Sequence, residues 1–83
     1  MKSYDYKPIG VCSRNIHFDI DDDGNIHNLS FIGGCNGNLK AISLLVEGKN
    51  AKEISKILKG NICGMKGTSC ADQLAIAINS VLQ

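Results

Sequence analysis

Residues 11–31, VCSRNIHFDIDDDGNIHNLSF, carry the reading on which the fold turns. In the first half Ile16, Phe18 and Ile20 alternate with His17 and Asp19. Period-two alternation of this kind describes a strand with one covered face. Cys12 has the parity of the apolar set, so it is expected on the covered side. The run DDDGN at 21–25 interrupts the pattern, and its Asp23-Gly24 pair tolerates the positive φ of a tight reversal. The chain then returns as a second strand, with Leu29 and Phe31 on its apolar face and His27 at the same parity. A β-hairpin follows. The three aspartates lack the alternating ligand spacing and terminal glutamate of a calcium loop, so they read as a solvated turn.

Outward from the hairpin, SYDYKPI at 3–9 is a candidate third strand, which Pro8 restricts to a sheet edge. Downstream, IGGCNGN at 32–38 places three glycines in seven residues, where backbone turns sharply or approaches a neighbour closely. A helix is expected from near Asn38, with Leu39, Ile42, Leu45 and Val46 along one side and Gly48 at its end. NAKE at 50–53 resembles a capping box with asparagine in the capping role. It opens a second helix carrying Ile54, Ile57 and Leu58 and stopped by Gly60. TSCADQ at 68–73 starts a third, in which Thr68 or Ser69 caps and Asp72 suits the first turn. Leu74, Ile78, Val81 and Leu82 form its stripe. The predicted class is α+β: a small antiparallel sheet followed by three helices packed on one face, in a single domain over residues 1–83.

The bulk composition narrows the function classes. In 83 residues with 43% hydrophobic and 20% charged side chains, the core is small and gains from outside help. A net charge of +1 with scattered lysines, no tryptophan and four other aromatics argues against a nucleic acid polymer as partner. The N-terminus MKSYDYKPIG has no apolar run suited to a signal peptide, and nothing later suits a membrane span, so a cytoplasmic location is expected. In that compartment thiols stay reduced. Four cysteines then point to metal or redox chemistry rather than structural disulfides.

All four cysteines fall at junctions: Cys12 near a strand start, Cys35 in the turn before the first helix, Cys63 in a glycine-bounded loop, and Cys70 in the first turn of the last helix. A hairpin returns the end of its second strand to the start of its first, which makes Cys12 and Cys35 candidate neighbours. The last helix must cross the sheet to bury its stripe, and can bring Cys70 to the same end. Unpaired N–H groups at a helix start favour negative charge, the state in which a thiol ligates a metal. A single such cysteine would read as a small hydrophobe. Four, none inside a helical stripe, read as candidate ligands, although no CxxC knuckle is present. His17 and His27 read as solvent-side or partly packed residues, and Ser69 as a cap. No nucleophile, base and carboxylate set stands in a catalytic context.

The stretches FIGGCNGNLKAISLLVEGKNAKEI and CGMKGTSCADQLAIAI resemble the TSCPD domain. Its Thr-Ser-Cys-Pro-Asp motif corresponds here to Thr68-Ser69-Cys70-Ala71-Asp72, with alanine in place of the proline. Alanine also suits the first helical position, so the fold is not called into question. The resemblance runs from Gly10 to the end. It implies a relation to the C-terminal domain of vitamin B12-dependent ribonucleotide reductases, without implying the reductase activity itself. The radical chemistry of that reaction needs a large barrel and a cofactor pocket.

A more distant resemblance, to iron–sulfur cluster scaffold proteins of the NifU N-terminal type, rests on Cys12, Cys35, Cys70 and the segment GKNAKEI. It implies three cluster-ligand positions. The scaffold's aspartate after the first cysteine is replaced by Ser13-Arg14, and Cys63 is additional. A fourth thiolate favours a closed site over a releasing one.

The expected function is therefore a small metal-binding module. Cys12, Cys35, Cys63 and Cys70 would hold zinc or an iron–sulfur cluster, with a ribonucleotide reductase or other redox enzyme as partner. The chain is not expected to be an enzyme alone, and its expected state is monomer or homodimer. The alternatives are a metal-free nucleotide-recognition or protein-interaction module of the ribonucleotide reductase system, and a thiol redox protein using Cys63 and Cys70.

Overall fold

The computed structural model describes residues 1–11, 13–34, 36–61 and 67–82. Its elements are strands β1 (Lys2–Tyr6), β2 (Ser13–Ile20) and β3 (Ile26–Gly33), then helices α1 (Asn36–Val46), α2 (Ala51–Leu58) and α3 (Cys70–Leu82). The hairpin is present. Its turn is tied by Gly24 N–H donating to Asp21 O at 3.0 Å, with Gly24 at φ +85°. The Asp21 carboxylate accepts from Asp23 N–H and Asn25 N–H, both at 2.9 Å, an Asx-type closure. β1 is the third strand, antiparallel to β2, and ends two residues before Pro8. The order is β1-β2-β3, with β2 central.

One face of this sheet is the core face. Ile16, Phe18, Ile20, Ile26 and Leu29 meet Val46, Ala51, Leu74, Ala77 and Ile78 from the helices in one cluster. Tyr4 adds an aromatic contact to Phe18, ring centroids 5.5 Å apart. All three helices contribute to this cluster or pack against it, giving the α+β arrangement of sheet and helical layer.

Two irregularities alter the side-chain pattern. His17 pairs with Ser30 but Asp19 pairs with His27, so β3 carries one extra residue between those rungs. Asn28, at φ +56°, lies in that stretch. Asparagine is among the few residues that enter the left-handed region readily. The bulge reverses parity along β3. Ile26 is therefore buried with Leu29, and His27 faces the other side of the sheet, opposite Asp19. The parity expected of His27, shared with Leu29 and Phe31, is corrected by that inserted residue. A second shift, between Ser13 and Asn15, sits on β2 at Arg14.

The helical stripes are narrower than expected. Leu45 is 72% exposed, Ile57 71% and Leu82 44%. On a wheel of about 100° per residue, Leu39, Ile42, Ser43 and Val46 centre the buried arc of α1, and Leu45 lies about 100° away from that centre. Ile57 holds the same place relative to Ala51, Ile54, Ser55 and Leu58 on α2. α1 also begins at Asn36 rather than near Asn38. Asn50 caps α2 as its sequence suggests, its side chain accepting from Glu53 N–H at 3.0 Å.

The segment after α1 covers the first part of the β3 edge. Ile26 N–H donates to Lys49 O at 2.8 Å, Gly48 N–H to Ile26 O at 2.7 Å, and Ala51 N–H to Gly24 O at 2.9 Å. Backbone groups that would otherwise present an open edge are satisfied there. No described helix is long and apolar enough to cross a membrane.

Candidate functional site

The start of α3 is where the candidate chemistry gathers. Ser69 is its cap: Asp72 N–H donates to Ser69 Oγ at 3.0 Å, and the Ser69 hydroxyl itself donates to Asn61 O. Of the two candidate caps, Ser69 takes the role. Thr68 donates through Oγ1 to Asp72 Oδ2 at 2.5 Å, and Gly60 N–H donates to Asp72 Oδ1 at 2.7 Å. The Thr68 hydroxyl, then the Gly60 amide, hold the Asp72 carboxyl below the usual aspartate range against the opposing effect of burial. Gln73 accepts from Ile9 N–H through Oε1 at 3.1 Å and donates from Nε2 to Thr68 Oγ1 at 3.1 Å. One helical turn thereby joins the N-terminal loop, the end of α2 and its own entry segment.

Cys70 opens this helix half-buried, as a free thiol, with Sγ 3.2 Å from Ser13 Oγ at the start of β2. Ser13 is paired with Gly33 across the hairpin. Gly34 packs against the same residue: a Cβ there would lie 3.3 Å from Ser13 N and 3.5 Å from Ser13 Cα. Gly10 approaches the same helix start, since a Cβ on it would meet Thr68 Cγ2 at 3.6 Å. So the residue following Cys12, the residue preceding Cys35, and Cys70 itself meet at one end of the sheet.

Cys12, Cys35 and Cys63 lie outside the described residues. Among the described residues, no group of three or more His, Cys, Asp or Glu side chains is placed to hold a metal ion. Of the four candidate ligands, Cys70 alone is located by the structure. Asp72 had a sequence signal, its place in the first helical turn. Gln73 had none, because its partner Ile9 is 64 residues away.

The outer face of the sheet carries a separate polar network. His17 Nδ1 is 3.0 Å from Asp5 Oδ1, and its Nε2 is 3.2 Å from Asp19 Oδ1. Asp19 Oδ1 is buried without a hydrogen bond of good geometry. Hydrogen bonds from Ser3 and then Asn28 lower the Asp19 carboxyl from its ordinary value. His27 stands between Asp21 and Glu47, 2.6 Å from each. The bond to Asp21, then that to Glu47, raises its pKa.

A shallow cleft of about 240 Å³ lies between β3 and α1, lined by residues that include Leu29, Phe31, Leu39 and Lys40. Among the described residues of its lining, Lys40 is the charged one.

No curated protein and no solved structure matches this chain. The sequence model of the TSCPD domain does match, and over nearly the full length. That family is linked to ribonucleotide reductases, which relates the chain to the ribonucleotide reductase system. In the fold its motif occupies the capped start of α3, where Thr68, Ser69 and Asp72 make their mutual bonds. With residues 2–82 matched, the chain belongs to the TSCPD domain family.

Proposed function

We propose that the protein is a small accessory module of the ribonucleotide reductase system that binds zinc or an iron–sulfur cluster through Cys12, Cys35, Cys63 and Cys70. The observation that carries this reading is the meeting of Ser13, Gly34 and Cys70 at one end of the sheet. Two of the three remaining thiols are covalent neighbours of residues that touch each other there. The donor set fits: four thiolates suit a closed tetrahedral zinc site, or a cluster. Bound metal would supply cross-linking of strand start, helix starts and loop, and so add to the stability of a core this small.

A specific observation supports a second reading, that of a metal-free interaction module. The start of α3 is already organised by Ser69, Asp72 and Gln73, whose bonds need no ion.

Elemental analysis and a visible spectrum of protein purified without oxygen separate the two. The metal reading expects stoichiometric zinc without colour, or iron with acid-labile sulfide and a brown protein. A metal-free protein that folds normally in chelator favours the interaction module. A reversible Cys63–Cys70 disulfide with a measurable midpoint potential would replace both with a thiol redox role.

A further inference from the structure

The Asp21, His27 and Glu47 group joins three parts of the fold and has no place in the cysteine chemistry. His27 Nε2 is 2.6 Å from Asp21 Oδ2 in the hairpin turn, and Nδ1 is 2.6 Å from Glu47 Oε2 just beyond α1. An ionised carboxylate only accepts hydrogen bonds. A neutral imidazole donates from one nitrogen and offers a lone pair at the other. Both contacts can therefore be hydrogen bonds only when the ring carries both protons. Glu47 has a second task, since its Oε1 accepts from Asn28 N–H at 2.8 Å, at the bulge. Next to it, Gly48 N–H donates to Ile26 O at 2.7 Å and begins the covering of the β3 edge.

The charges facing His27 come from every neighbouring element. Asp19 of β2 is its register partner and is bonded to Asn28 Nδ2 at 2.8 Å. Asp21 comes from the turn and Glu47 from the end of α1. His17 lies beyond Asp19 on the same face. Two carboxylates thus contact one imidazole, with Asp19 on the paired rung and His17 beyond it.

We propose that Asp21, His27 and Glu47 form a proton-operated clasp that fastens the C-terminal end of α1 and the segment after it to the hairpin. Loss of one ring proton leaves a lone pair pointed at a carboxylate. The arm that releases is Glu47, whose side chain is 47% exposed against 24% for Asp21. Asp21 is also held by two turn amides. Release of Glu47 removes the acceptor of the Asn28 amide and loosens the Gly48 pairing beside it.

The sign follows from the two kinds of group. A histidine raised by its partners stabilises the closed form below its ordinary value near 6.5, and that stabilisation fades as the pH rises through the higher folded value. The lowered carboxyls of Asp21 and Glu47 set the acid limit, because their contribution fades as the pH falls through their own folded values. The clasp is closed between those limits.

Solution NMR of the full chain tests this directly. Side-chain spectra follow His27 titration, while amide exchange, corrected for its intrinsic pH dependence, follows Asn28 and Gly48. The expected result is a His27 midpoint above the ordinary histidine value, with a several-fold loss of protection at both amides as the ring deprotonates. Glu47→Gln keeps an acceptor but removes the charge, so it should lower the midpoint; His27→Gln should make the protection independent of pH across that range. Should His27→Gln fail to fold, the half-exposed Glu47→Gln still decides the question. A His27 midpoint at or below the ordinary value overturns the clasp. So does a midpoint indifferent to Glu47→Gln, protection that ignores the titration, or a dependence abolished by His17→Gln instead.

Discussion

Asp72 does more than favour the dipole of its helix. Its two oxygens take a hydroxyl from Thr68 and an amide from Gly60, and its own amide rests on Ser69. Asp72→Asn keeps the shape but removes the charge from both bonds, and charge-assisted bonds contribute more than neutral ones. A loss of about 1–3 kcal/mol is expected in urea unfolding at neutral pH. Because the folded pKa is lowered, the stabilisation is complete above the ordinary aspartate value near 3.9. It is lost as the pH falls through the folded value. The wild-type protein should therefore lose stability more steeply on acidification than Asp72→Asn, and equal slopes would remove the role given to this carboxylate. Gly34 is the second sensitive position. At φ +82° and against the Ser13 backbone, Gly34→Ala should cost about 2 kcal/mol or more, read as a lower urea midpoint.

Helices and strands differ in how much of them is written locally. The hairpin was legible because Ile16, Phe18 and Ile20 alternate and Gly24 supplies the turn. Asn50 was legible as a cap because a cap is a contact between residues three apart. The bulge was not, since Asn28 in an alternating run gives no sign that it will leave the ladder, and one inserted residue moved Ile26 into the core and His27 out of it. Leu45 and Ile57 were misplaced for a different reason: an apolar residue about 100° from the buried arc is apolar all the same, and only packing decides its exposure. Leu39, at 6% exposure, and Leu45, at 72%, provide a matched pair. Leu39→Ala should cost about 2–4 kcal/mol, whereas Leu45→Ala should stay within about 0.5 kcal/mol. Thermal unfolding of both variants checks the buried face of α1.

Taken together, the fold directs two strand ends and two helix starts to one end of a three-stranded sheet, and leaves a proton-sensitive polar network on the outer face. The start of α3 was recognisable from its Thr-Ser-Cys stretch, but its wiring to Ile9 and Gly60 was not, because those partners are distant along the chain. The meeting of Ser13, Gly34 and Cys70 gives the proposed sulfur site its footing. X-ray absorption at the metal edge of protein purified without oxygen addresses that site most directly. Coordination by Cys12, Cys35, Cys63 and Cys70 predicts a zinc shell of four sulfurs at about 2.3 Å, or an iron shell of sulfur with a neighbouring iron, and its loss in Cys70→Ser. A shell dominated by nitrogen or oxygen, or a folded protein with no metal edge to measure, would contradict it.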